Sequence, residues 1–247
     1  MTERQKQVLK QLVEEYINSA EPVSSKLLTN QGKFKLSSAT LRAEMQSLEE
    51  AGYLHQPHTS SGRVPTDKAY RFYVDNFLRV GDSNLRPEAK KRISGDLADA
   101  MSDPEKMIKC LADALSSLSS SVVITAIKEQ QDFFKRGLAP LFQHPEFQFA
   151  DAMSRMAKFF DEFESMFDRM EREFFGVPDD IEIRIAIGRE NHIRDMQDQT
   201  LMTAGYDLPG RLRGLLVLVG PMRMDYEKNI NLLTYAVNEL KKYSKYG

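Results

Sequence analysis

Two clusters of side chains carry the chemistry this sequence offers: Ser37, Ser38, Ala39, Thr40, Arg42, Ala43 and Gln46, then His58, Thr59, Ser60 and Arg63. Hydroxyls, an imidazole and a guanidinium donate to phosphate oxygens, while Arg and Gln can also grip base edges through paired hydrogen bonds. Ala39 and Ala43 add no chemistry but are short enough to let a backbone lie close to another surface. No carboxylate interrupts the run from Tyr53 to Thr66, so the second cluster faces a polyanion without local repulsion. His55 and His58 have an H-x-x-H spacing, but Pro57 separates them and no cysteine or carboxylate adjoins, so no metal is expected. The sequence has no glycine-rich phosphate loop, no H-E-x-x-H and no convincing nucleophile–base pair, so neither an enzyme nor a cofactor is predicted.

The elements that must position these residues are legible from caps and periodicity. Ser37 or Ser38 can cap a helix of about four turns that Gly52 stops in the left-handed region. On it Leu41, Met45 and Leu48 form one narrow apolar face, and Ala39, Ala43 and Gln46 point the other way with Thr40 and Arg42 at the flanks. Upstream, Thr2 and Gln5 fit a capping box before Val8, Leu9, Leu12, Val13, Tyr16 and Ile17, and Glu21-Pro22 ends that helix. Ser24 or Ser25 can cap a short second helix, and Gln31–Lys35 turn the chain into the third: a helix-turn-helix. Tyr53–Thr66 reads as two extended pieces around a polar tip, a wing. Thr66 can cap a fourth helix bearing Tyr70, Tyr73, Val74, Phe77 and Leu78, closed by residues 81–84. Lys68 and Arg71 on it are either backbone contacts or a solvated face.

Composition bounds the rest. The 247 residues suffice for two modest domains, and 41% hydrophobic with 28% charged content is that of an ordinary globular chain. Basic residues slightly outnumber acidic ones in residues 1–80, and the reverse holds beyond, within a net charge of −2. No apolar run approaches the ~20 residues of a spanning helix, and no signal peptide opens the chain, so a cytoplasmic protein without membrane association is expected. The single cysteine, Cys110, is expected as a small buried hydrophobe.

The strings Leu36-Ser-Ser-Ala-Thr-Leu-Arg-Ala-Glu-Met, Leu48-Glu-Glu-Ala-Gly-Tyr-Leu and Gln56-Pro-His-Thr-Ser-Ser-Gly-Arg-Val-Pro-Thr-Asp-Lys-Ala-Tyr-Arg-Phe-Tyr-Val-Asp closely resemble the heat-inducible transcription repressor HrcA family. Ile187-Gly-Arg-Glu-Asn and Gly214–Tyr226 extend the resemblance into the second half, which in that family is a GAF-like domain. The resemblance implies repression of chaperone operons at a CIRCE-type inverted repeat by a homodimer, with a GroEL-type chaperonin as modulator. It departs at one place. Family members usually carry further strands and an inserted dimerising subdomain after the first strand of that domain, whereas here Ile127 is followed within about ten residues by Gly137.

The second half itself reads as helices over 86–118, broken near Asp103-Pro104, with Ile93, Leu97, Met101, Met107, Leu111, Leu115 and Leu118 spaced for packing. Val122–Ile127 is a buried strand, and Gly137–Phe147 and Ala150–Phe175 are helical. The latter bears a Met/Phe stripe from Met153 to Met170 and Phe174, read as core or dimer contact. Ile181, Ile183, Ile185 and Ile187 alternate as a strand, Leu201–Tyr206 and Leu212–Val219 form a hairpin, and Asp225 caps a last helix. The expected fold is α+β: a winged helix-turn-helix in 1–81, a helical linker in 82–118 and a reduced GAF-like α/β domain in 119–247. A competing expectation is a regulator that binds a small molecule in the second half; Arg189, Glu190, Asn191 and Arg223 are polar there but do not converge on a pocket and serve strand ends and turns equally well.

Overall fold

In the computed structural model, residues 1–32, 34, 36–78, 85–130, 132–175 and 183–244 are described, with side chains along the long helix described as far as Phe167. Lys33, Lys35, the closing turn at 81–84 and Ile181 therefore lie outside the described residues, as do the side chains of Met170 and Phe174. The chain is a mixed helix-and-sheet protein that divides into two compact units, Met1–Arg79 with Met222–Asp225, and Val80–Pro221 with Tyr226–Gly247.

In the first unit, α1 (Glu3–Ser19) starts at the expected capping box: Gln5 N–H donates to Thr2 Oγ1, and Thr2 N–H donates to Gln5 Oε1. It ends at Ala20, whose N–H still reaches the Tyr16 carbonyl and whose positive φ then turns the chain out of the helix before Pro22. Ser24 caps α2 (Ser25–Asn30), and Ser37 caps α3 (Ser38–Glu50). At the far end of α3 the N–H groups of Gly52 and Tyr53 return to the carbonyls of Glu49 and Leu48, a closure that needs the φ of +77° at Gly52. A two-stranded hairpin, β1 (Leu54–His55) and β2 (Val64–Pro65), follows, and Val23 bridges Arg63 to extend it. Then comes α4 (Asp67–Phe77). Val8, Leu9, Leu12, Val13, Leu28, Leu41, Met45, Leu48, Leu54 and Tyr70 are buried together as the apolar periodicity required.

The Thr66 hydroxyl departs from expectation. Rather than capping α4, it donates to the carbonyls of Gly52 and Tyr53, because the hairpin returns it beside the end of α3.

In the second unit a five-stranded antiparallel sheet has the order β4 (Asp132–Arg136), β3 (Val122–Ile127), β7 (Leu212–Pro221), β6 (Gln199–Leu208), β5 (Ile183–Ile187). Its helices are α5 (Pro87–Asp99), α6 (Pro104–Ser119), the one-turn α7 (Leu138–Leu141), α8 (Ala150–Phe175) and α9 (Tyr226–Ser244). Strand alternation assigns the faces. Val122, Ile124, Ala126, Leu201 and Val217 pack with Met156, Phe159, Phe163 and Phe167 of α8. On the other face Thr125 Oγ1 donates to the Ile108 carbonyl of α6, and Thr200 shares a hydrogen bond with Tyr226 of α9.

Three expectations are corrected here. The helices expected as a linker belong to the body of this unit: Ile93, Leu97, Met107, Ile108, Leu111 and Leu115 are all buried, whereas Met101, in the break between them, is 60% exposed. The interval between Ile127 and Gly137 holds a strand, β4, whose Phe-Phe-Lys-Arg run lacks polar alternation and so gave no period-2 signal. Cys110 is half-buried rather than buried. Of the Met/Phe stripe, Met156, Phe159, Phe163 and Phe167 are core, and Met153 is exposed.

Candidate nucleic-acid interface

The outward side of α3 is built by what its other sides are bound to. Leu41, Met45 and Leu48 are sunk in the core, which turns Ala39, Arg42, Ala43 and Gln46 to solvent. Two of the helix's carboxylates are drawn to its edges. Glu44 accepts from Arg4 of α1 at 3.3 Å, and Glu49 accepts from Arg63 of the hairpin at 2.8 Å. Arg42 is left exposed with no hydrogen bond or ion pair among the described residues, a free fork on a face of short side chains. Gln46 is parked: its amide donates to Glu50 one turn on, 3.1 Å away, a bond it must exchange to meet a base.

At the start of the helix Ser37 is exposed and accepts from the Thr40 N–H at 3.1 Å, with the two hydroxyls 2.9 Å apart. Ser38 is half-buried, its hydroxyl 2.9 Å from that of Ser25. Because Ser25 and Ser38 open α2 and α3, the two helix beginnings sit side by side, and unpaired N–H groups at such ends favour an anion. Exposed Lys26 in the first turn of α2 is a cation the sequence expectations leave out; its place two residues after a serine cap is the available signal.

The hairpin tip is a tight turn in which Ser61 N–H donates to the His58 carbonyl at 2.8 Å. The Ser61 hydroxyl donates to the same carbonyl and accepts from the His58 N–H, while the Gln56 amide donates to the carbonyls of Thr59 and Ser61. Gln56 and Ser61, missed as site residues, therefore fix the shape of the tip, and His58, Thr59 and Ser60 are exposed on it. Gly62 lies so close to the Pro22-Val23 segment that a Cβ there would fall 2.5 Å from the Pro22 carbonyl oxygen.

Arg63 differs from the other expected contacts. Its side chain is only 12% exposed, and its Nε is committed to Glu49, so it ties the hairpin to α3 instead of standing free for phosphate. Lys68 stays exposed but is engaged, donating to the Ala51 carbonyl at 2.8 Å over the Tyr53 ring, where its charge meets the negative end of α3. Arg71 pairs along its own helix with Asp75.

Of the polar residues singled out in the second half, Glu190 and Asn191 hold backbone, and Arg223 donates to the Ile17 carbonyl at 3.3 Å. Glu190 accepts from the Ile187 N–H, and the buried Asn191 amide donates to the carbonyls of Gly188, Met196 and Gln199. No group of three or more metal-ligating side chains and no membrane-crossing helix is present among the described residues.

A helical unit with a solvent-facing third helix and hairpin, joined to an antiparallel sheet sandwiched by helices, defines a two-unit mixed α and β protein. The family model described as the HrcA protein C terminal domain matches residues 76–230, more than half the chain. This chain belongs to the HrcA family. It is 38% identical over 132 residues to the heat-inducible transcription repressor HrcA of Acetivibrio thermocellus, a stretch covering 53% of this chain and 37% of that relative. To the protein of the same name from Brevibacillus brevis it is 23% identical over an alignment of 341 residues that spans 98% of this chain and 97% of the relative. That alignment is longer than the chain, so the relative carries residues with no counterpart here. A crystal structure of a hypothetical protein shares the fold, with a TM-score of 0.80 at 19% identity over 100% of this chain and 99% of the other.

Proposed function

We propose that this chain is a sequence-specific DNA-binding repressor of heat-shock, chaperone-encoding genes, acting in the cytoplasm as a homodimer on an inverted-repeat operator of CIRCE type. The first unit is read as a winged helix-turn-helix, with α3 in the major groove and the hairpin as wing. The observation that carries this is the outward face of α3: Arg42 free, Ala39 and Ala43 leaving room, and the helix's carboxylates at its edges or bonded to neighbours. Ala39, Thr40, Arg42, Ala43 and Gln46 face base edges in this reading, while Ser37, Ser38, His58, Thr59 and Ser60 hold phosphate or sugar, with Arg63 bracing the wing. The second unit is read as a reduced GAF-like domain; counted along its own strands, the sheet order is 2-1-5-4-3. A GroEL-type chaperonin is its proposed modulator.

Titration of an inverted-repeat duplex and of a scrambled duplex, at one salt concentration, tests the assignment. Preference for the repeat by ~10³ or more, the usual lower bound for specific sites, supports it, and equal affinities overturn it. The competing metabolite-sensing reading draws no support from Glu190 and Asn191, both committed to backbone groups. A thermal-shift screen with metabolites separates the two.

A further inference from the structure

The sheet of the second unit ends at β4, which pairs with β3 and, among the described residues, with no other strand. Such an edge leaves alternate N–H and C=O groups pointing away from the sheet, a template for another strand. Its side chains divide by face. Phe133 and Lys135 turn to α8, where the Phe133 ring lies 4.8 Å from that of Phe167 and Lys135 donates to the Phe160 carbonyl at 2.7 Å. Asp132, Phe134 and Arg136 share the α6 face: Lys109 stands 4.4 Å over the Phe134 ring, and Arg136 Nε donates to Asp113 at 2.6 Å. The Lys135 side chain, best suited to block an edge, is thus folded inward and bonded; its carbonyl accepts from Arg136 at 3.0 Å, a bond that pairing must displace, while Asp132 makes no ion pair among the described residues.

We propose that β4 is the homodimer contact of this chain: it pairs antiparallel with β4 of a second copy about a two-fold axis at Phe134, joining the two sheets into one. This deepens the homodimer reading above and rests on it. Charge complementarity selects the occupant and the register. A two-fold axis perpendicular to the sheet keeps each face on its own side, so only residues of the same face oppose one another. Centred on Phe134, the pairing sets Asp132 of each copy opposite Arg136 of the other, at both ends, with the two Phe134 rings facing at the middle. Directly opposed residues have Cβ atoms about 5 Å apart, near enough for the opposite charges to attract. Moving the axis to Lys135 or Arg136 sets like charges face to face, and moving it to Phe133 or Asp132 leaves Arg136 beyond the paired stretch. A strand of five residues makes a small contact, so association depends on concentration and is reinforced when both half-sites of a repeat are occupied.

Light scattering and sedimentation of the full chain test this with a charge swap. The wild-type chain is expected to reach twice the chain mass as concentration rises. D132R and R136D are each expected to lose the dimer, since each opposes like charges, and the D132R/R136D double variant is expected to regain it. Circular dichroism checks that each remains folded. Should the single variants fail to fold, F134C in a C110A background reads the same geometry: spontaneous cross-linking of two copies at position 134 supports the pairing, and its absence in a dimeric sample overturns it. A dimer indifferent to all these changes puts the interface elsewhere and overturns the β4 proposal while leaving the homodimer reading intact. A chain that stays monomeric at all concentrations, and binds an inverted repeat one copy at a time, overturns both.

Discussion

At the scale of single residues, the free guanidinium and the bound one make opposite forecasts. Arg42 is exposed and unengaged; in the proposed reading it meets a base, so Arg42→Ala is expected to weaken operator binding by about 1–3 kcal/mol, with less effect on a scrambled duplex. Equal losses on both duplexes would reduce Arg42 to a phosphate contact. Arg63 acts through Glu49, so Arg63→Ala and Glu49→Ala should weaken binding alike and the double variant little further. Each lost phosphate contact lowers the slope of log affinity against log salt by about 0.9, so an unchanged slope for Arg63→Ala identifies a brace. The other residue-scale forecast concerns Cys110. Burial first, then the charges of Asp96, Asp113 and Asp99, push its thiol above the ordinary value, and at neutral pH it should alkylate more slowly than free cysteine. A raised pKa in the folded state favours the protonated form. The resulting stability is intact below the unfolded value near 9 and falls as pH climbs through the folded one, so Cys110→Ser should flatten part of the alkaline loss in a pH series of denaturant melts.

The elements of the second unit are held by a few buried polar contacts whose removal has a defined cost. Tyr206 on β6 lies across Gly214 of β7 to donate from its hydroxyl to the Ala126 carbonyl of β3 at 2.8 Å, so one side chain spans three strands. Burial also holds this phenol far above its ordinary pKa. A Cβ on Gly214 would overlap both the Tyr206 ring and the Ala126 oxygen, so Gly214→Ala must displace the tyrosine. Tyr206→Phe is expected to cost about 0.5–1.5 kcal/mol in urea unfolding through the lost buried hydrogen bond, and Gly214→Ala at least as much. In the first unit the corresponding joint is Thr66, whose two bonds to the end of α3 are made where a cap had been expected. Its position in the hairpin, not its type, assigned that partner.

For the whole molecule the heat response is expected to lie in the second unit, whose α8 seals one sheet face with Met156, Phe159, Phe163 and Phe167. In hydrogen exchange on a temperature ramp, amides of α8 and the sheet should open before those of α1 to α4, and operator affinity should fall over the same interval. Intact protection in both units well above that interval would remove this explanation. Loss of the dimer would be the coupling step, since one half-site alone forfeits the gain from the second.

The caps, the apolar periodicity of α1, α3 and α8 and the polar hairpin are legible in the residues alone, because each depends on residues within a few positions of one another. So are the face of α3 that is turned outward and the motif strings that mark the HrcA family. Tertiary contacts alone commit Arg63 and Lys68 to partners within their unit, draw the helices before the sheet into its body and leave β4 as an open edge. These outcomes turn on partners far off in the chain, such as Glu49 for Arg63 and the sheet for α6, and no local spacing encodes a partner that folding alone brings near.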